Sequence, residues 1–553
     1  MMNVHDTLRA TRGEEGFGLI VSILVMTVIS VLGAALLTSG MSDLAASDNY
    51  RSGKQAFYAA DSGVQQSLID FVADSTWAPT MVDASTLPIV PKINFPAIVS
   101  INNQAINMEQ QGGNPVAKFY DFGPTVPFAS ASYDRELFLP PIAFNQANGK
   151  GSKVWVVMPT RADGSAGLNG NARQRIQADA RVLLFRISVW DNAIFAGGGQ
   201  GGNEINGNVQ VRGSVHIVGD PLNPTTINWG GGAVMLNNYL GAADNDNFAA
   251  DAWMLPDLPT RLIDNELVET LDAEFRLKHG DLDIGGSVAL GNANQTGTPE
   301  KEQLDGFYMD GQVTATGSAA VHADYSGEYD IREDVTFPDL GDPYVDPGTG
   351  AAYASHRSYL MTNSVLLPYK KIDGNTPAFV VDDGLGNRVE WNPATGELSV
   401  DGIARVEGNL ELGDKGGVSG VNRISYTGTG TMYATNDINI HWDVVPQGEY
   451  LNTLGNARHN LGLIADHRLA IASGPGDAWI KVFAAIYGGD EIRVKKQSRI
   501  AGSLVSTTFD LGANVPRIFQ VPKLAGMLPP GMPGAEPLLY VSRAEVVNWT
   551  HLR

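Results

Sequence analysis

Residues 16–37 read GFGLIVSILVMTVISVLGAALL, and residues 49–63 read NYRSGKQAFYAADSG. Between Phe17 and Leu37 stand 21 residues without a charge. As a helix they span about 32 Å, enough to cross a typical bilayer hydrocarbon core. The continuation is amphipathic. Tyr50, Phe57, Val64 and Phe71 recur every seven residues, with Ala60, Leu68 and Val72 filling the i+3/i+4 positions. A single helix over residues 17–72 is therefore expected, its first half in lipid and its aromatic stripe docked on a globular head. Gly33 and Gly40 each cost about 1 kcal/mol relative to alanine in a helix and mark close packing or local loosening.

The remainder of the 553-residue chain is too long for one ordinary domain. Sixty Asp and Glu against 38 Lys and Arg give a formal charge of −22, so no nucleic-acid surface is expected. The densest basic stretch, Arg493 to Arg499 with Lys495 and Lys496, is too short for such a footprint. Cysteine is absent, which removes disulfides, thiolate metal sites and cysteine nucleophiles without excluding export. Sixty-three glycines and many short alternating runs point to strands and turns.

Three segments share one template, glycine at positions one and seven with apolar residues at three, five, nine and eleven. They start at Gly207 (Val209, Val211, Val215, Ile217), at Gly280 (Leu282, Ile284, Val288, Leu290) and at Gly402 (Ala404, Val406, Leu410, Leu412). Alternation places those side chains on one face, and a glycine every sixth residue suits a corner between short strands. Stacked short strands with corners describe a β-solenoid. Further coils are expected at 431–440, 461–472, 480–486, 492–494 and 500–511. Irregular gaps at 220–278 and 332–396 read as loops or inserts, with a helix over 262–277, and they keep a β-sandwich as the alternative. Residues 73–150, with short apolar pieces such as 87–90, read as irregular structure with a few strands. Strands at 153–158 and 176–189, joined by a turn at Asp163-Gly164, read as the sheet beneath the N-terminal helix. The fold class expected is α+β, mostly β: residues 17–72 helix, 73–190 head, 191–553 parallel solenoid.

The apolar run is too long for a secretory signal peptide, and its Gly16-Phe17 start, after Arg9, Arg12, Glu14 and Glu15, resembles the class III signal peptides of type IV pilins and pseudopilins. That resemblance implies a leader over residues 1–16, cleavage by a prepilin peptidase after Gly16, and N-methylation of Phe17. Major pilins of the family carry glutamate at the fifth mature position, where it neutralises a neighbouring N-terminal ammonium in an apolar filament core. Here that position is Val21, as in K-type minor pseudopilins, which suits a subunit with nothing ahead of it. Asn49, Arg51, Gln55, Ala56, Phe57, Ala59, Ala60, Asp61 and Gly63 resemble the signature of PilX-type pilus assembly proteins, with Asp61 replacing the commoner glutamate. Residues 191–198 and 500–514 are similar to the β-helical regions of large members. The resemblance implies a minor pilin, single-pass in the inner membrane before assembly, that primes or tips a type IV pilus and is displayed at the cell surface. It implies other minor pilins, the major pilin and a tip adhesin as partners, and adhesion as an added role.

Two other classes fit parts of the sequence: a type II secretion pseudopilin, and a membrane-anchored polysaccharide-active β-helix enzyme. No His-Glu-x-x-His, Gly-x-Ser-x-Gly or P-loop motif occurs, and no catalytic residue, metal site or cofactor is expected. His459 and His467 read as surface residues, and in Asp466-His467-Arg468 alternation puts the histidine on the opposite face from its neighbours. Asp244-Asn245-Asp246-Asn247 is similar to the opening of a calcium loop, but Ala249 stands where glycine is wanted. Asp342, Asp346, Asp382 and Asp383 read as solvated turns, with calcium the one ligand left open.

Overall fold

The computed structural model describes residues 7–73, 98–101, 104–111, 114–119, 132–138, 142–144, 153–166, 172–201, 205, 207–242, 251–263, 266–294, 299–329, 331, 335–418, 420–451, 459–512, 516–535 and 538–552. Residues 87–90 and 244–247 lie outside them. One helix, Thr7–Ala73, opens the chain. It lies against an antiparallel sheet through the strands Ser132–Phe138, Lys153–Ala166, Ala172–Ile187 and Leu538–Leu552. Lys153–Ala166 and Ala172–Ile187 pair along their whole lengths, so Asp163 and Gly164 lie inside a strand and not in the expected turn.

The last strand corrects the expected domain limits. Leu538–Leu552 belongs to this first sheet, pairing antiparallel with Ala172–Ile187 from Leu538↔Ile187 to Leu552↔Arg175. The β-rich region is thus an insertion between two adjacent strands of one sheet, and 191–553 is not a single unit.

Between them stands a three-faced parallel solenoid, which sets aside the sandwich alternative. On its first face eleven rungs stack among the described residues. They run through residues 365, 404, 431, 462, 485, 504, 194, 215, 275, 307 and 326 in spatial order. All twelve apolar residues of the Gly template point inward and are at most 1 % exposed. The three copies of the template do not mark equivalent coils. The first turns from the third face to the first, the second from the second to the third, the third from the first to the second. The motif encodes a corner and its two flanking strands, and every corner of the triangle can use it. At Gly213 the requirement is plain: φ is +130°, and a Cβ would lie 2.3 Å from Gln520.

The order of the rungs shows how the chain is threaded. It joins the stack in the middle, at Ile194, and winds outward to residue 327. It then crosses to the far end at residue 365 and winds back until residues 504–509 lie beside 194–200 and 517–519 beside 210–212. The crossing segment, residues 335–364, and the segment 521–535 run as straps over the first face. Beneath them lies a second apolar cluster built from outward-facing rung residues Phe195, Ile403, Tyr433, Ile464, Phe483, Tyr487 and Val505, met by Val335, Leu340, Leu360, Leu524 and Met532 of the straps. Strands buried on both sides read as unbroken apolar runs, as in Asn460–Ala465 and the first half of Ile480–Val494.

The two expected gaps resolve differently, and within 332–396 Val365–Leu366 and Lys371–Ile372 are rungs. Thr225–Trp229 and Val234–Leu236 are rungs, and the chain leaves the stack only after Leu236. No helix forms over 262–277. Thr260–Ile263 pairs antiparallel with Glu266–Glu269, and Glu274–Ile284 joins the solenoid. Its i+3/i+4 apolar spacing arises from two short strands in succession. The inserted loop is pinned to the other half of the stack by Asp251, which binds Lys481 and Arg423.

Candidate assembly surface

From Phe17 to Tyr50 the helix leaves its side chains uncovered. Phe17 is 71 % exposed, Leu36 74 % and Leu44 72 %. Residues 17–42 carry no charge. The helix is long and apolar enough to cross a membrane by length and composition. Its polar side chains satisfy themselves: Ser22, Thr27 and Thr38 hydroxyls donate to the carbonyls of Gly18, Ile23 and Ala34, one turn back. An apolar surface this large has no stable place in water and requires lipid or other helices. Val21 is part of it, at 42 % exposure, and Cβ atoms on Gly18, Gly33 or Gly40 would meet nothing.

Further along, the helix docks. Ala56 and Ala60, one turn apart, are fully buried, and Ile176 of the sheet is buried with them. Among the described helix side chains the buried ones are small, which lets helix and sheet backbones approach closely. Tyr50, in the expected aromatic stripe, is 66 % exposed. It sits about 120° round the helix from Ala56, whereas Ala60, on the same expected face, is buried; the side chains of Val64, Leu68, Phe71 and Val72 lie outside the described ones. Phe57 is half-buried, edge-on to Tyr58. Of the remaining signature residues, Asn49 and Arg51 are exposed, while Gln55 and Asp61 are half-buried. Ala59 and Gly63 lie on the same helix. Gly16 and Phe17 lie within the helix, not at a break in it.

Where the insertion leaves the sheet, a hydrogen-bonded joint closes the solenoid. The Gln520 side chain accepts from the Ser214 amide (2.6 Å) and donates to the Asp191 carbonyl (2.7 Å). Trp190 Nε1, fully buried, donates to the Pro533 carbonyl at 2.8 Å. The incoming strand at 190–194 and the outgoing segment at 520–533 are thereby tied at one place. Sequence reasoning misses this joint, because its partners lie more than three hundred positions apart.

Elsewhere several ionisable groups are held in internal contacts. His216 is buried between Phe195 and Tyr329, with Nε2 2.7 Å from the Tyr329 hydroxyl. Burial first, then the Arg276 guanidinium, pushes its pKa well below the usual histidine value. His441 Nδ1 meets Asp477 at 2.8 Å, and Asp477 also accepts from the Gly416 and Gly474 amides, stitching two turns. Asp466, His467 and Arg468 go to three separate partners, Arg357, Asp490 and Glu491. Asp346, Asp382 and Asp383 each accept amides of their own turns. The basic stretch is spent internally: Arg493 on Glu491, Lys495 on Asp510, Lys496 on the Gly474 carbonyl, Arg499 over Trp479. Among the described residues no group of three or more His, Asp or Glu is placed to hold a metal ion.

Comparison with known proteins adds three findings. Residues 15–65 match the PilX N-terminal family. No curated protein matches the chain. A solved structure, the competence-associated pilin ComZ from Thermus thermophilus, is similar over 91 % of this chain and 97 % of its own, at 18 % identity and a TM-score of 0.47. Residues 15–65, the exposed apolar helix and the start of its docked half, match the PilX N-terminal family, and over this segment the chain is similar to PilX-type pilins.

Proposed function

We propose that the protein is a minor pilin that primes, or sits at the tip of, a type IV pilus. The observation that carries this is one continuous helix, bare and apolar from Phe17 to Leu44 and docked through Ala56 and Ala60 on a sheet. Before assembly the bare half holds the chain in the inner membrane; in a filament, helices of the major pilin and other minor pilins take the place of lipid. A prepilin peptidase cuts after Gly16 and methylates Phe17. Two features favour an end position. Val21 offers no carboxylate to the ammonium of a subunit ahead of it, and eleven rungs at about 4.8 Å make a body roughly 50 Å long, too bulky to repeat along a slim shaft. Presentation of the solenoid for adhesion, alone or with a tip adhesin, follows from that place.

Mass spectrometry of the mature protein tests the core of this: an N-methylated Phe17 start is expected, and any other start overturns it. Val21 equally suits a minor pseudopilin of a type II secretion system. Deletion separates the two, since loss of pili with normal secretion is expected and the converse would select the pseudopilin.

A further inference from the structure

The two ends of the solenoid are finished differently. At the far end a hairpin, Phe379–Asp382 with Arg388–Asn392, folds antiparallel onto Glu397–Val406. Trp391, 1 % exposed, and Phe379 plug the core there, and Trp391 Nε1 donates to the Thr376 carbonyl. The hairpin carries Asp382, Arg388 and Glu390 in mutual ion pairs, and charges on an outer strand discourage further pairing.

At the near end, among the described residues, no hairpin plugs the core and the edge strands themselves carry no charge. Its last full coil runs through Val313–Ala315 and Ala320–Val321, each paired on one side only, with Glu274–Ile284 and Ala289–Leu290. Residues 311–323 are uncharged, and residues 312–318 are all exposed. The amides of Thr316, Ala320 and His322 donate inward to Ile284, Val288 and Leu290, and the Gln312 carbonyl accepts from Leu282. Alternation therefore turns the N–H and C=O groups of Val313, Ala315 and Val321 outward, where no described strand meets them. Val313 is 42 % exposed, and the core ends in residues as small as Ala315, Ala319 and Ala323. Around this edge the exposed or half-exposed charges include Asp281, Asp283, Asp310 and Glu328, while Asp324 is paired with Lys301, and Arg276, Lys278 and Lys301, the only Lys or Arg between 273 and 329, are buried.

We infer that this end of the solenoid is a strand-addition site for another protein. The occupant is an extended segment with small uncharged side chains and flanking Lys or Arg, which forms the next rung. The backbone edge supplies the hydrogen bonds, the small side chains permit the approach, and the acidic collar selects basic flanks. A second copy of this chain is the less suitable occupant, because it would set two such collars face to face.

The test uses the full chain in a neutral detergent and two fluorescent peptides of alternating valine and threonine, one ending in lysines, the other in glutamates. Saturable binding of the lysine peptide is expected, weakened by salt, with the glutamate peptide at least about tenfold weaker. Ala315→Pro removes only an outward N–H and is expected to weaken binding about tenfold or more at unchanged thermal stability. Ala315→Lys, which leaves the backbone intact, is expected to do the same by repulsion. Equal binding of the two peptides, no binding, or binding unaffected by both variants overturns the proposal. So does sedimentation showing wild-type dimers that Ala315→Pro dissociates, which would assign the edge to a second copy. Failure here leaves the Phe17 test of the pilin reading untouched.

Discussion

The bare helix and the solenoid handle apolar residues in opposite ways. Between Phe17 and Leu44 the protein leaves nearly every large apolar side chain uncovered, while the solenoid holds two apolar clusters, one inside the triangle and one beneath the straps. The first region carries its stability in its surroundings and the second carries it within. Identical substitutions should therefore differ in effect according to which region receives them.

The largest contrast comes from removing the bare segment altogether. A chain lacking residues 17–40 is expected to leave the membrane fraction while retaining its strand content by circular dichroism. Retention in the membrane would place the anchor elsewhere. Next, Leu463→Ala, at a fully buried rung position, should cost about 2–5 kcal/mol of the solenoid's stability in urea. Leu36→Ala, at 74 % exposure, should change it by less than about 0.5 kcal/mol. Equal effects would dissolve the distinction. At the joint, Gln520→Ala strips the Ser214 amide and the Asp191 carbonyl of their partner and should cost about 1–3 kcal/mol. Trp190→Phe, which deletes the bond to the Pro533 carbonyl, should cost about 1 kcal/mol.

The smallest effect is on pH. His216, faced by Tyr329, Glu274, Arg276 and Lys278, is held neutral in the folded protein, its pKa well below 6.5. The unfolded chain takes up its proton near 6.5, so the stability linked to burying the neutral ring is present above that pH and is lost as pH falls below it. His356, lowered by burial, acts with the same sign. His216→Gln should flatten the fall in melting temperature between about pH 6.5 and 5, and an unchanged slope would show that the ring is not what responds.

Much of this is legible in the chain, for identifiable reasons. A membrane-length apolar run and glycine-punctuated alternation are local signals, so the helix and the corners at Gly207–Ile217 and Gly402–Leu412 can be read directly. On the helix, Ala60 is buried on the face where it is expected, while Ala56 is missed because an alanine weighs little in any apolar count. The helix expected over 262–277 fails because two short strands can imitate helical spacing. The thread order is invisible: nothing near Ile194 records that it pairs with Leu504, nor near Leu538 that it pairs with Ile187. Parallel neighbours distant in sequence leave no local trace.

That joint at Ile194 also sets a schedule. A chain delivered from its N-terminus presents residues 194–212 long before residues 498–520, which form their other neighbour, exist. The rungs from 194 to 327 can stack on one another early, but the 194 rung remains a one-sided edge until the last coil arrives, and the crossing segment must find the far end with nothing yet built there. Such late, long-range closure makes folding slow and leaves sticky edges open in the meantime. The first sheet waits as well, since Leu538–Leu552 comes last of all. Completion of the sheet beneath the helix thus reports that the entire insertion has been made, and a truncated chain would betray itself in the sheet on which the helix docks.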